Sequence, residues 1–301
     1  MALQSSGQIS ITDIKTELGS SSSSLTTLST AAGKAAPHAM SEFYGYSAAQ
    51  YYWDLSNDIK WGSADDKPVQ SNTEDFSISL WIRPQWTATD LNLIIFDLTP
   101  SGTTSTANRF FLQYDYGLNR FNAMYRSNAT NFNAQWALHA NNSVTSTGTA
   151  SNNNWTAANR GDTNTDGFVN LILTYDASET EAANAFKLYW NNRLITTHVV
   201  SNNNTRSNMT LNEVTFCGND HNTGGSRIAD YMYMHMWDVV LRAADITAMY
   251  NSGTPVTATD ANVTTNLIFA DSSESVPSTG TLDGSGNYSF VSANSQSIAV
   301  L

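Results

Sequence analysis

Asp162-Thr163-Asn164-Thr165-Asp166-Gly167 sets oxygen-bearing side chains at alternate positions and closes on glycine. That is the pattern of the first half of a calcium-binding loop, in which positions 1, 3 and 5 supply ligands and a glycine at position 6 makes the turn. The second half does not follow, because position 12 falls on Leu173 where such a loop needs a glutamate. Asp162, Asn164 and Asp166 are therefore read two ways, as ligands of a Ca2+ ion or as an Asx-turn loop leading into a strand. Sugar recognition needs an aromatic face for the apolar side of a pyranose ring, with amides or carboxylates beside it for the hydroxyls. Trp155, in Asn152-Asn153-Asn154-Trp155, stands in a polar stretch that does not demand burial. Trp155, Asn154 and Trp136 are the expected carbohydrate-binding residues, and the competing reading for each of the eight tryptophans is a place in the core.

Hydrolytic chemistry finds less to stand on. Retaining glycoside hydrolases need two carboxyl groups about 5 Å apart, and no Glu-x-Asp-x-x-Glu spacing occurs. Glu179-Thr180-Glu181 lies between two expected strands, where the charges solvate a loop. The five histidines are scattered without zinc-ligand spacing. Cys217 is the single cysteine and reads as a small buried strand residue. Gly224-Gly225 marks a turn and lacks phosphate-loop spacing. The expectation is a binding or structural protein and not an enzyme.

The net charge is −12 with only 14 basic residues, none of them clustered, which leaves no footing for a phosphate backbone and argues against nucleic-acid binding. Charged residues make up only 13% of the chain, and Ser, Thr and Asn fill their place, a composition suited to strands and turns. The opening Met1-Ala2-Leu3-Gln4-Ser5-Ser6 is polar, so no secretory signal is expected there. No apolar run approaches the roughly 20 residues that span a bilayer.

The elements that must position these residues follow from periodicity. Thr12-Asp13, followed by Ile14, Leu18 and a closing Gly19, reads as a short helix, and Ser20–Ser24 as a flexible connection. Phe43-Tyr44-Gly45-Tyr46 places large aromatic area on a segment with little core of its own, which suggests packing on another chain or on the main body. From Tyr51 the period becomes two. Phe76, Ile78, Leu80 and Ile82 alternate with Ser77, Ser79, Trp81 and Arg83 up to Pro84. Val169–Tyr175 repeats the pattern. Phe186–Trp190 and Arg193–Thr197 flank Asn191-Asn192, a pair that tolerates the positive φ of a two-residue hairpin turn. Further strands are expected at Leu93–Leu98, Phe110–Tyr114, Phe121–Arg126, Ala134–His139, Glu213–Cys217, Ala229–Asp238, Asn266–Ala270 and Tyr288–Val291. The one convincing helix of the body spans residues 242–250, stopped by Asn251-Ser252-Gly253. Such a series indicates an all-β antiparallel two-sheet sandwich.

Two resemblances sharpen this reading. Gly7-Gln8-Ile9-Ser10-Ile11-Thr12-Asp13-Ile14-Lys15-Thr16-Glu17-Leu18-Gly19 and Met40-Ser41-Glu42-Phe43-Tyr44-Gly45-Tyr46-Ser47 resemble the two ends of a short N-terminal docking module of tailed-phage structural proteins. The resemblance implies that residues 1–47 attach the chain to other virion proteins, with Ile9, Ile11, Ile14, Leu18, Phe43, Tyr44 and Tyr46 as docking residues. It also implies a location on the particle exterior. Phe76–Pro84, Leu171–Asp176, Phe186–Ile195 and Arg227–Gly253 follow in the order of laminin-G-like and pentraxin-like domains, of the concanavalin A-like jelly-roll class. This second resemblance implies that residues 48–301 form one jelly-roll domain. Together they point to a tail fibre, appendage or capsid decoration that binds host-surface glycans. The alternatives are a purely structural cement protein without sugar binding and a depolymerase with an unrecognised carboxylate pair. Weak single sites gain from repetition, so a homo-oligomer is expected, a trimer being one form.

Overall fold

The computed structural model describes residues 3–4, 6–18, 20–34, 36–44, 51–55, 59–62, 71–85, 93–100, 107–138, 155–156, 163, 167–196, 198–211, 213–216, 229–237, 239–253, 263–267, 279–281, 287–293 and 296–300. The chain forms two compact units, Met1–Gln50 and Tyr51–Ala299.

In the first unit helix α1 (Ile11–Leu18) begins at a reciprocal cap. Ser10 Oγ accepts from the Asp13 N–H at 3.1 Å, and Asp13 Oδ2 accepts from the Ser10 N–H at 2.8 Å. A second helix, α2 (Leu25–Ala31), follows the serine run, and Ser24 of that run caps it. Gly33 then takes a φ of +68°, the left-handed residue that ends many helices. Ile14, Leu28 and Phe43 close into a small core that Ile9, Ile11, Leu18 and Leu25 partly cover. This corrects the docking expectation for Ile14 and Phe43, which are fully buried and have no free surface to grip a neighbour. The unexpected helix α2 supplies Leu28, so the aromatic segment does have a core of its own. Tyr44 is the exposed member of the set, its hydroxyl donating to the Gly7 carbonyl at 2.5 Å. Tyr46 lies outside the described residues.

The remaining strands, in chain order, begin with β1 (Tyr51–Leu55), β2 (Ile59–Gly62), β3 (Phe76–Pro84), β4 (Leu93–Thr99), β5 (Arg109–Asp115), β6 (Arg120–Ser127), β7 (Thr130–Ala137) and β8 (Val169–Tyr175). After the turn-long α3 (Ala182–Ala185) come β9 (Phe186–Trp190), β10 (Arg193–Leu194), β11 (His198–Asn203), β12 (Glu213–Phe216) and β13 (Ala229–Trp237). Helix α4 (Ala243–Tyr250) precedes β14 (Val263–Leu267), β15 (Thr279–Thr281), β16 (Asn287–Ala293) and β17 (Gln296–Val300). One sheet runs β10-β9-β8-β3-β13-β1-β17 with β14 also beside β13, and the other runs β11-β7-β6-β5-β4-β12-β2-β16-β15. The chain changes sheet between β1 and β2, β2 and β3, β3 and β4, β7 and β8, β10 and β11, β12 and β13, β14 and β15, and β16 and β17, which is the winding of a two-sheet jelly-roll sandwich.

Both inner faces are aromatic. Phe110 lies 5.1 Å edge-on from Phe76 and 5.4 Å from Tyr175, joining β5 to β3 and β8 of the opposite sheet. The outer face of β3 is also buried, although it alternates with serine. Ser77 Oγ donates to the Val239 carbonyl at 2.7 Å and accepts from the Leu241 N–H at 3.0 Å, fastening the segment that leads into α4. Helix α4 then lays Ile246 and Met249 against Ile172 and Trp237 on that outer face. Its start is set by Asp245, which accepts from the Arg242 N–H at 3.0 Å, and its end by Asn251 at a φ of +42°. The expected Asn191-Asn192 turn takes φ values of +48° and +64°, with Arg193 opposite Trp190.

Candidate functional site

The expected aromatic platform is not on the surface. Trp155 is fully buried, its ring 5.3 Å from Trp190, 5.5 Å from Phe121 and 5.7 Å edge-on to Tyr114. Its backbone N–H donates to the Tyr114 hydroxyl at 2.8 Å, and that hydroxyl donates to Asn119 Oδ1 at 2.7 Å. Burial raises the Tyr114 phenol far above its ordinary pKa. Trp136 is buried as well, 5.5 Å from the His198 ring, whose pKa burial lowers. Neither indole can offer a face to a sugar. An indole recovers more free energy in an aromatic core than in water, whatever the polarity of the residues before it in sequence. Asn154, Asp162, Asn164 and Asp166 lie outside the described residues. Among the described residues no three His, Cys, Asp or Glu side chains converge as a metal site would require.

Polar chemistry converges instead on the outer face of β5, β6 and β7. Directly paired residues of antiparallel strands share a face. Phe110, Leu112 and Tyr114 enter the core with Phe121, Ala123, Tyr125, Phe132 and Ala134, so the alternate positions point away from it. Those positions carry Arg109, Phe111 and Gln113 on β5, Arg120, Asn122, Met124 and Arg126 on β6, and Asn131, Asn133 and Gln135 on β7.

Within this array the groups hold one another. Arg109 grips Asp97 of β4 with two bonds, Nε to Oδ1 at 3.2 Å and a terminal nitrogen to Oδ2 at 2.5 Å. The same guanidinium lies 4.6 Å over the Phe111 ring. The pair is buried, so each charge depends on the other to offset its desolvation. Beside it an amide chain crosses three strands, Asn202 Nδ2 donating to Asn133 Oδ1 at 2.7 Å and Asn133 Nδ2 to Asn122 Oδ1 at 3.1 Å. Arg120 donates to Gln135 Oε1 at 3.0 Å. Arg109, Asn122 and Asn133 are themselves buried and stiffen the sheet, so the half-exposed Gln113, Arg120, Arg126, Asn131 and Gln135 are the donors and acceptors placed to meet hydroxyl and carboxylate groups. The described carboxylates of the array are engaged, Asp97 by Arg109 and Asp115 by the Leu118 N–H at 3.0 Å. Sequence reading missed this array. Its signal is the alternation within Arg120–Arg126 and Asn131–Gln135, where positions between core residues carry amide and guanidinium groups and not the Thr or Ser used elsewhere.

Two other cation sites are internally satisfied. Arg83 pairs with Asp230 at 2.6 Å, and Arg206 lies 4.3 Å over Phe132 while donating to the Tyr175 hydroxyl and the Ala177 and Glu179 carbonyls. The first joins the neighbouring strands β3 and β13, and the second fastens the 177–179 turn to the sandwich.

The sequence matches no protein-family model and no curated protein. Among solved structures it is similar to botulinum neurotoxin type C, which interacts with two ganglioside molecules, at 16% identity and a TM-score of 0.41 over 69% of this chain and 48% of that one. It is also similar to the binding domain of Paraclostridial Mosquitocidal Protein 1, at 14% identity and a TM-score of 0.41 over 71% of this chain and 50% of that one. A third similarity is to the CBM40 of the Ruminococcus gnavus IT-sialidase bound to alpha2,3 sialyllactose, at 13% identity and a TM-score of 0.42 over 66% of this chain and 97% of that one. The matched region spans about half the length of the first two proteins.

Proposed function

We propose that the chain is a non-enzymatic structural protein of a tailed-phage particle, attached through residues 1–47 and presenting a glycan-binding sandwich at the particle exterior. The observation that carries the binding half is the amide and guanidinium array on the outer face of β5, β6 and β7. Its carboxylates are occupied by internal donors, which favours holding a sugar over cleaving one. The attachment half rests on the resemblance of the two N-terminal motifs to a docking module, and a self-contained unit at Met1–Gln50 is compatible with it. Repeated copies on one particle raise avidity, which is the reason for expecting a homo-oligomer, a trimer included. Calcium at Asp162, Asn164 and Asp166 belongs to the same proposal and is checked by calorimetric titration of protein stripped with a chelator.

The test is a glycan array probed with the full chain, using host capsule and lipopolysaccharide fragments. Binding that fails when the half-exposed Arg120 and Gln135 are both replaced by alanine, with the melting temperature unchanged, supports the array as the site. One observation favours a cement protein without sugar binding, namely that Trp136 and Trp155 are interior. Silence across the array selects that reading. Particles that incorporate a chain lacking residues 1–47 refute the docking assignment.

A further inference from the structure

One row of the outer face holds polar atoms that nothing described completes. Arg109 is paired with Arg126 and Arg126 with Asn131, and the pairing of Leu98 with Phe110 sets Thr99 beside Arg109. Thr99 Oγ1, Arg126 Nε and Asn131 Oδ1 are all buried without a hydrogen-bond partner. Buried polar atoms of folded proteins are nearly always satisfied, and a cluster of exceptions on one row calls for a missing partner.

The charge on that row is uneven. Arg109 is matched by Asp97, whereas the guanidinium of Arg126 has no ion pair or hydrogen bond with a described residue. A half-buried cation left unmatched is costly, and this chain has 26 acidic residues from which a partner could have come. The strand neighbours of Arg126 are instead a second arginine and an amide. The half-exposed Arg126 is thus a preformed fork for an anion, with the half-exposed Asn131 amide beside it for neighbouring hydroxyl groups, while Thr99 is fully buried and backs the row.

Resting on the glycan-binding reading above, we propose that the ligand is an acidic glycan whose sugar carboxylate is bound by Arg126, with the Asn131 amide completing the subsite. Arg109 is neutralised by Asp97, so it contributes no net charge to the row. The chain as a whole is strongly acidic, and Glu213 stands opposite Thr99 at the far end of the row, so the attraction for an anion is local to Arg126.

The full chain is titrated with oligogalacturonate and with a sialylated oligosaccharide, each beside its methyl ester, which keeps every hydroxyl and loses the charge. At least one acid is expected to bind ten or more times tighter than its ester, and to weaken several-fold between 50 and 300 mM salt. Arg126→Gln is expected to abolish the preference while leaving the melting temperature unchanged or raised, because the guanidinium makes no hydrogen bond or ion pair with a described residue. Equal affinity for acid and ester, or binding to neutral glycans alone, overturns the acidic assignment and leaves the glycan reading standing. A preference that survives Arg126→Gln overturns the role of Arg126. Silence on every glycan removes both. The ester comparison and the salt dependence are read on the native chain, so the outcome does not hang on the variant folding.

Discussion

Trp155 is tied to Tyr114 through its backbone, the N–H donating to the phenol at 2.8 Å. A stretch that is polar in sequence is thereby pinned to the inside of the sandwich by its tryptophan. Removing the phenol oxygen in Tyr114→Phe takes one hydrogen bond from the Trp155 N–H and one from Asn119 Oδ1, and is expected to cost about 1–3 kcal/mol. Trp155→Ala empties a core position and is expected to cost about 3–5 kcal/mol. Urea denaturation measures both. An unchanged midpoint for Trp155→Ala combined with lost glycan affinity would restore Trp155 as a ligand-binding residue.

Asp97 and Arg109 should behave as a unit. Deleting either one leaves the other charge buried and alone, so Asp97→Ala or Arg109→Met is expected to lower stability by about 3–5 kcal/mol. The double variant should lose less than either single one, and a double-mutant cycle in urea reads the difference. Additive losses would mean that the two charges are solvated separately.

High pH should destabilise the sandwich through its buried phenols. Burial pushes the Tyr175 phenol up to about 12, with the Arg206 guanidinium opposing, and raises Tyr114 and Tyr125 in the same direction. The folded state therefore keeps protons that the unfolded chain releases above its ordinary phenol pKa of about 10. Stability is full below that pH and falls as pH rises toward 12. Absorbance at 295 nm should show exposed tyrosines ionising first and a delayed group that ionises together with loss of near-ultraviolet circular dichroism. A single early wave in a still-folded protein contradicts this.

Phe43→Ala should act on the first unit alone. Among the described residues, that unit's apolar core consists of three fully buried side chains, Ile14, Leu28 and Phe43. A core this small supplies only a few kcal/mol, while the substitution costs about 3–5 kcal/mol. Hydrogen exchange over residues 11–31 should accelerate to the unprotected rate while β3, β8 and β13 keep their protection. Slowed or lost exchange protection in those strands as well would show that the two units fold as one.

Much of the sandwich was legible because its signals are local. Phe76–Pro84 alternates over nine residues and is a strand with those bounds, and Asn191-Asn192 is a turn because asparagine tolerates left-handed φ. Strand β7 begins at Thr130, four residues before its expected start at Ala134, since Asn131 and Asn133 look like turn residues until their partners on β6 are known. Strand β11 went unnoticed for the same reason, its Ser201-Asn202-Asn203 end being polar. Helix α2 was hidden behind a serine run that turned out to contain its cap. The candidate site was the least legible part. An amide chain through Asn202, Asn133 and Asn122 joins residues 69 and 11 positions apart, and only sheet pairing brings them together. Trp155 misled because the polarity of neighbours in sequence says nothing of the direction a side chain takes.

The Asn191-Asn192 turn has a second duty. Asn191 Oδ1 accepts from the Asn170 N–H at 2.9 Å, and Asn192 Oδ1 accepts from the Thr247 hydroxyl of α4 at 3.2 Å. A glycine in either place would satisfy the bend equally well, yet it would unlatch one strand end or the helix lying across the outside of the sheet. The loop is a clasp as much as a corner, and this explains why a chain free to use the commoner Asn-Gly or Asp-Gly pair keeps two amide side chains there.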